Sequence, residues 1–298
     1  MTYKKPQVSF ITINYNSSAY TLKLLESIKE HTSLAYEIII VDNNSHNEDY
    51  DHLQQESKKY KNLKLIRNKT NCGFACANMI AFKESKGEYL FFINNDTQLL
   101  NDTAAILKEY LDKNPQVGLA TAKIFDDKQK FHSSYKLFPS VTKELFGNSV
   151  ARLFNKFPSN KTELQTETKV SVVSGSCMFF RRSVFEKIEG FDTHFFLYCE
   201  EEDISKRVWE SGYEVYFIPQ AHIYHKGGGS SDTKSYELLR EYYISYIYLI
   251  KKHFNPFAYA LLLLLMYTKI LRRSLKNPQY KRLINDINPD KSLKYTHE

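Results

Sequence analysis

Tyr89-Leu90-Phe91-Phe92-Ile93-Asn94-Asn95-Asp96 is an unbroken apolar run that ends on three polar residues. Three earlier stretches repeat the pattern. Val8-Ser9-Phe10-Ile11-Thr12-Ile13 runs into Asn14-Tyr15-Asn16-Ser17, and Glu37-Ile38-Ile39-Ile40-Val41 into Asp42-Asn43-Asn44-Ser45. Leu63-Lys64-Leu65-Ile66 is followed by Arg67-Asn68 and then Asn71-Cys72-Gly73-Phe74. Near-continuous apolar runs of this length are what a strand buried on both faces requires, as in a parallel sheet. Helix-like stretches at 19–31, 48–60 and 75–86 separate the runs. The alternation predicts an α/β fold with a mainly parallel sheet flanked by helices. Ligands of such sheets sit beyond the carboxyl ends of the strands, where all four polar clusters fall. Any one of them could be a turn or a helix cap; four at one sheet edge favour a binding site.

Composition narrows the function classes. Of 298 residues 42% are apolar and 25% charged, ordinary values for a globular chain. The net charge of +7 is uneven. From Lys251 to Glu298 there are ten Lys/Arg against three Asp/Glu, so the tail alone carries the excess. A neutral body with a basic tail argues against a nucleic-acid binder and suits a tail meeting an anionic membrane surface. A solvated tail without a partner is the simpler alternative. The four cysteines form no CxxC pair, which disfavours a zinc site and a disulfide framework. With no apolar leader, the expected compartment is the cytoplasm, with a peripheral position on the inner face of the cell membrane open. No GxGxxG follows the first run, which disfavours a dinucleotide cofactor.

Further along, residues 126–170 read as an irregular insertion that either closes over a substrate or simply connects. Residues 170–177 and 215–218 read as strands, and 200–211, 235–254 and 257–275 as helices. Three places carry chemistry. Asp96 could hold a divalent cation against a diphosphate, with Mg²⁺ or Mn²⁺ suiting oxygen ligands; equally, it could cap a helix beginning near Asn101. Glu200-Glu201-Glu202-Asp203 suits a helix N-terminus through the dipole. Yet it follows the apolar Phe195-Phe196-Leu197-Tyr198, and carboxylates beside apolar surface make competent general bases. His225, before Gly227-Gly228-Gly229-Ser230, could ligate a metal or touch a phosphate, with His222 as a rival.

The order and spacing of these segments resemble the inverting family-2 glycosyltransferases of the GT-A fold, in their rhamnosyltransferase-like branch. The matching segments are residues 9–16, Val41 to Ser45, Asn71 to Phe74 with Asn78, and Gly87-Glu88-Tyr89 leading to Asn94-Asn95-Asp96. They continue with Ser174-Gly175-Ser176 before Arg181-Arg182, Gly190-Phe191-Asp192 through Glu200-Glu201 to Arg207, and His225 to Ser230. Together they span residues 8–231, about three quarters of the chain. The resemblance implies a nucleoside-diphosphate sugar donor and a glycan or lipid-linked acceptor, as in cell-surface polysaccharide synthesis. Thr12, Tyr15, Asp42 and Asn43 would hold base and ribose. Asn71, Gly73, Phe74, Asn78 and Asn95 would shape the nucleotide and diphosphate side. Asp96 would be the metal ligand of the family's Asp-x-Asp-type motif, completed by His225. Glu201 would be the catalytic base, with Gly175, Ser176 and Glu200 on the acceptor side. Two positions depart from the pattern: Asn94 replaces the first acid of the metal motif, and the base is Glu rather than Asp, so Glu200 or Asp203 could compete for the role. A sugar-nucleotide binder without turnover and a membrane-surface scaffold remain as rivals.

The expected organisation is a catalytic domain over 1–231, with a nucleotide half to about 100 and an acceptor half beyond it, then a basic helical region over 232–298. Residues 257–267 form an uncharged run of eleven with five successive leucines. At 1.5 Å per residue it is about half the length a bilayer core requires. An interfacial helix is the first expectation; an oligomer contact or packing on the catalytic domain are the others.

Overall fold

The computed structural model describes residues 5–132, 134–154, 157–158, 163–227 and 235–295, with no side-chain detail over 148–154. The amino-terminal half alternates strictly: β1 (Val8–Asn14), α1 (Ser18–His31), β2 (Tyr36–Asp42), α2 (Asn47–Ser57), β3 (Leu63–Arg67), α3 (Gly73–Glu84) and β4 (Tyr89–Ile93). The four strands pair in parallel in the order β3-β2-β1-β4. Each apolar run feeds two cores. On β4, Leu90 and Phe92 enter one and Tyr89, Phe91 and Ile93 the other. Burial on both faces is why the runs are continuous rather than alternating.

The sheet continues with β5 (Thr97–Leu99), α4 (Thr103–Lys113), β6 (Val117–Phe125), β7 (Phe131–His132), β8 (Tyr135–Lys136), α5 (Val141–Phe154), β9 (Thr168–Lys169), β10 (Val172–Val173), β11 (Cys177–Arg181), α6 (Arg182–Lys187), α7 (Glu200–Glu210) and β12 (Glu214–His225). β11 inserts antiparallel between β4 and β6, and β12 runs parallel to β6 and antiparallel to β5. The sheet is thus mixed and mostly parallel, as expected. One expected strand is divided. Over 170–177 the chain forms β10, which pairs with β8 in a separate small sheet, then a turn, then β11. The turn is Ser174-Gly175-Ser176, closed by the Cys177 N–H on the Ser174 carbonyl at 3.2 Å. The stretch from 126 to 170 supplies the short strands β7 to β9 and α5, and β8 carries Lys136.

Three helices follow: α8 (Tyr236–His253), α9 (Pro256–Ser274) and α10 (Pro278–Asp286). They are not detached from the body. Tyr243, Tyr246, Leu249, Leu262, Met266, Ile270 and Leu283 are buried in the core that also holds Phe92 and Phe195. Among the described residues no helix is long and apolar enough to cross a membrane.

Candidate active site

The strand ends are organised by buried amides. Asn14, closing β1, donates through Nδ2 to Asp42 Oδ1 (2.9 Å), Ser45 Oγ (3.1 Å) and Asp49 Oδ2 (2.8 Å), and accepts from the Thr21 hydroxyl (2.7 Å). Asp42 is fully buried, and its second oxygen accepts the Ser45 N–H at 3.1 Å. Asn43 reaches the opposite way. Its oxygen accepts from Asn68 Nδ2 (2.9 Å) and the Cys72 N–H (3.1 Å), while its amide donates to Asn71 Oδ1 (2.7 Å). Asn71 Oδ1 in turn accepts the Gly73 N–H at 3.0 Å. These bonds fix the turn that begins α3, where the Phe74 N–H donates to the Phe196 carbonyl at 2.7 Å.

Between the strand ends and the carboxy-terminal helices lies a cavity of about 510 Å³. Tyr15, Asn43, Asn71, Gly73, Phe74, Asn78, Asn95, Asp96 and His225 all line it. Thr12, Asp42, Gly175, Ser176, Glu200 and Glu201 do not. Thr12 and Asp42 are buried behind the wall. Asn95 turns its amide to Ser17 Oγ (2.7 Å) and Thr21 Oγ1 (2.9 Å), fastening the β4 end to α1.

Asp96 and His225 meet across the cavity wall, Oδ1 to Nε2 at 3.2 Å, and the Lys226 N–H donates to the Asp96 carbonyl at 3.1 Å. The cap of α4 is Asp102, which accepts the Ala105 N–H at 3.3 Å, so Asp96 does not cap that helix. His222 is held elsewhere, its Nε2 2.9 Å from the Pro219 carbonyl and its ring edge-on to Phe125. Among the described residues no three His, Cys, Asp or Glu side chains converge as a metal cage. One carboxylate and one imidazole at this spacing suit adjacent ligands of one octahedral Mg²⁺ or Mn²⁺. Such ions are commonly held by one or two protein carboxylates, with phosphate oxygens and water completing the shell. Of the loop that follows, Gly228, Gly229 and Ser230 lie outside the described residues.

The acidic run separates into distinct environments. Asp203 is buried and bound by Arg207 Nη2 (2.7 Å), Lys252 Nζ (2.7 Å) and His253 Nε2 (2.8 Å). Burial alone would lift its carboxyl; His253, Arg207 and Lys252 hold it below the usual range. With its charge spent on Arg207, Lys252 and the His253 ring, it is a structural anchor. Lys136 stands 2.7 Å from Glu201 Oε1 and 2.5 Å from Glu202 Oε1. Burial favours protonation of Glu201, but the Lys136 ammonium outweighs it and holds this carboxyl below its ordinary value. Burial and the Glu201 charge raise Glu200 well above the ordinary range and push Glu202 up to about 7. Of the three, Glu201 is the one whose charged form the surroundings favour. Its Oε2 has no hydrogen-bond partner among the described residues. It packs beside Gly175, where a Cβ would stand 3.8 Å from the Glu201 Cδ. The neighbouring Ser176 carbonyl accepts the Asn94 N–H at 3.1 Å, joining this turn to the end of β4.

The approach to the acidic helix is strained. Tyr198 and Cys199, side by side, have φ of 70° and 67°, a conformation side-chain-bearing residues rarely adopt. It presents Phe196, Leu197 and Tyr198 to the cavity. The opposite wall holds Ser235, Glu237 and Leu238 of the α8 start and Leu293 near the carboxy terminus. The sequence did not point to these. Leu293 is tethered by its N–H to Glu241 Oε2 (2.8 Å), and Ser292 Oγ donates to Glu241 Oε1 (2.9 Å). A buried Glu inside an otherwise aromatic helix was the available signal.

The model of the family described as glycosyl transferase family 2 matches residues 9–189. This chain belongs to glycosyl transferase family 2. It is a glycosyltransferase with the GT-A fold. A second family model, the N-terminal domain of galactosyltransferase, matches residues 155–226. Rhamnosyltransferase WbbL of Escherichia coli is 27% identical over 230 residues, 73% of this chain and 83% of WbbL. The N-acetylglucosaminyl-diphospho-decaprenol L-rhamnosyltransferase of Mycobacterium tuberculosis is 24% identical, covering 82% of this chain and 84% of its own. Among solved structures, GalNAc-T7 with UDP, GalNAc and Mn²⁺ superposes with a TM-score of 0.62 at 16% identity, over 83% of this chain and 48% of that one. Mannosyltransferase PcManGT from Pyrobaculum calidifontis, with GDP-Man and Mn²⁺, gives 0.58 at 16% identity, over 95% and 75%. These structural likenesses are ones of fold.

Proposed function

We propose that this glycosyltransferase moves rhamnose, with inversion, from a nucleoside-diphosphate donor to a hydroxyl of a diphosphate-lipid-linked or cell-wall glycan. The sugar and acceptor class rest on the two rhamnosyltransferase relatives, whose likeness runs through most of each chain. The observation that carries the donor site is the meeting of Asp96 and His225 in the cavity that Asn43, Asn71 and Gly73 also line. Tyr15 and Asn43 would face base and ribose, with Asp42 and Thr12 supporting them from behind. Asn71, Gly73, Phe74, Asn78 and Asn95 would border the nucleotide and diphosphate. Asp96 and His225 would hold Mg²⁺ or Mn²⁺, which when bound offsets the charge developing on a departing diphosphate. Glu201, kept ionised by Lys136, would take the proton of the attacking hydroxyl through its unpartnered oxygen. Gly175 and Ser176 would border that acceptor, and protonated Glu200 would add no second negative charge. The catalytic unit would be residues 1–231, with 232–298 closing the cavity.

The direct test offers a panel of nucleoside-diphosphate sugars with a lipid-diphosphate N-acetylglucosamine acceptor, with Mn²⁺ or Mg²⁺, and reads the product's anomeric configuration by NMR. Rhamnosyl transfer with inversion is expected. Transfer of another sugar, retention, or metal-supported diphosphate binding with no turnover would each overturn the corresponding part.

A further inference from the structure

The helix α9 has two apolar faces, and among the described residues only one is covered. Leu262, Met266 and Ile270 point into the core. On the other side Phe257, Leu264, Leu271 and Leu275 are 80%, 60%, 58% and 83% exposed. Their spacing of seven, seven and four residues aligns them in one stripe along the helix. It extends about 27 Å at 1.5 Å per residue. Thr268 is exposed within the stripe, and Arg272 and Lys276 flank one side. From Asn255 to Asn285 there are six Lys/Arg and no Asp or Glu. Arg272, Lys276 and Lys281 are exposed and form no ion pair among the described residues. α5 packs beside α9, tied by the Lys269–Glu144 ion pair, and its Leu145 and Phe146 are 47% and 62% exposed.

A large apolar stripe that stays in water marks an interaction surface. The charge pattern selects the partner. A second copy meeting this face through a two-fold axis would set two acid-free, six-cation segments against each other. A leaflet with anionic headgroups accepts both features at once, with the stripe at the acyl boundary and the cations at the phosphates. We propose that the outer face of α9, with Leu145 and Phe146 of α5, docks on an anionic phospholipid leaflet, the helix lying in the plane of the interface. The inference stands apart from the donor-site reading and holds whichever sugar is transferred. Ser235, Glu237 and Leu238 at the start of α8, which packs against α9, wall the cavity, so docking here would hold the site near a membrane-borne acceptor.

The test is co-sedimentation of the full chain with vesicles of phosphatidylcholine alone and of phosphatidylcholine with two-fifths phosphatidylglycerol. L264Q/L271Q and R272E/K276E are compared with wild type, their folding checked by circular dichroism and thermal midpoint. Both pairs lie on an exposed surface outside the cavity. Wild type should bind the anionic vesicles, less so at high salt. L264Q/L271Q should lose at least tenfold in partitioning. Each cation near such a surface strengthens binding roughly fivefold, so R272E/K276E should lose at least 25-fold. Folded variants that sediment like wild type, or a wild type that ignores anionic vesicles, would overturn the proposal. So would an α9 variant that abolishes a concentration-dependent dimer in sedimentation velocity without changing vesicle binding.

Discussion

Replacing Gly73 by alanine perturbs the cavity wall by one methyl group. Gly73 has φ of +81°, which costs a side-chain-bearing residue roughly 1–2 kcal/mol. An added Cβ would also stand 2.3 Å from the Phe196 carbonyl oxygen and 2.7 Å from its ring, so about an ångström of movement is needed. No rotamer relieves the contact, because the struck atom is backbone. That oxygen also accepts the Phe74 N–H at 2.7 Å, a bond worth about 1 kcal/mol that the displacement would weaken. The sum is about 2–3 kcal/mol. At roughly 2–4 °C per kcal/mol for a chain of this size, the thermal midpoint should fall by about 5–10 °C. Because Gly73, Phe74 and Phe196 all face the cavity, nucleoside-diphosphate affinity should fall in parallel. Differential scanning calorimetry and titration calorimetry on one preparation read both. A Gly73→Ala protein with wild-type midpoint and affinity would refute the close approach of the α3 turn to Phe196.

Glu201→Gln should lower turnover by roughly 10²- to 10⁴-fold while leaving donor affinity unchanged, measured as kcat beside equilibrium binding. Asp203→Asn should act differently, costing about 3–5 kcal/mol of stability in denaturant titrations because it leaves Arg207, Lys252 and His253 facing a neutral amide. Lys136→Met should raise the proton affinity of Glu201 and move the acid limb of the kcat/KM profile to higher pH, a shift a purely structural lysine would not produce. Glu202 has its folded pKa raised to about 7, so its contribution is full below the ordinary carboxyl range and lost as pH rises through 7. Glu201, held low, titrates below that window. Glu202→Gln should therefore flatten the fall in stability between pH 5 and pH 8, read as denaturation midpoints at the two values.

The amino-terminal half was legible because a strand covered on both faces has no choice but to be apolar throughout. The runs ending at Ile13, Val41, Ile66 and Ile93 became β1 to β4 within about a residue at each end. The 170–177 stretch misled for the same reason: valines on one side of Ser174 and apolar residues after Ser176 look alike, although they belong to different sheets. The acidic run at 200–203 was visible, but what distinguishes its members was not. Lys136 stands 65 residues from Glu201 in an irregular segment, and His253 is 50 residues from Asp203. Leu293, at the cavity, is bonded to Glu241 52 residues away, a pairing no local pattern announces. The polar clusters after the strands pointed to one edge. Which residues face the cavity, as Asn43 does, and which brace it, as Asp42 and Asn14 do, depends on side-chain direction that spacing does not encode.

The central claim is that the cavity at the strand ends is a metal-assisted donor site. Titration calorimetry of nucleoside diphosphates, with and without Mn²⁺, on the wild type and on Asp96→Asn tests it most directly. The account predicts that Mn²⁺ tightens binding of one diphosphate to the wild type, and that Asp96→Asn loses this gain while keeping the metal-free affinity. Equal affinity with and without Mn²⁺, or a gain that survives in Asp96→Asn, would contradict it.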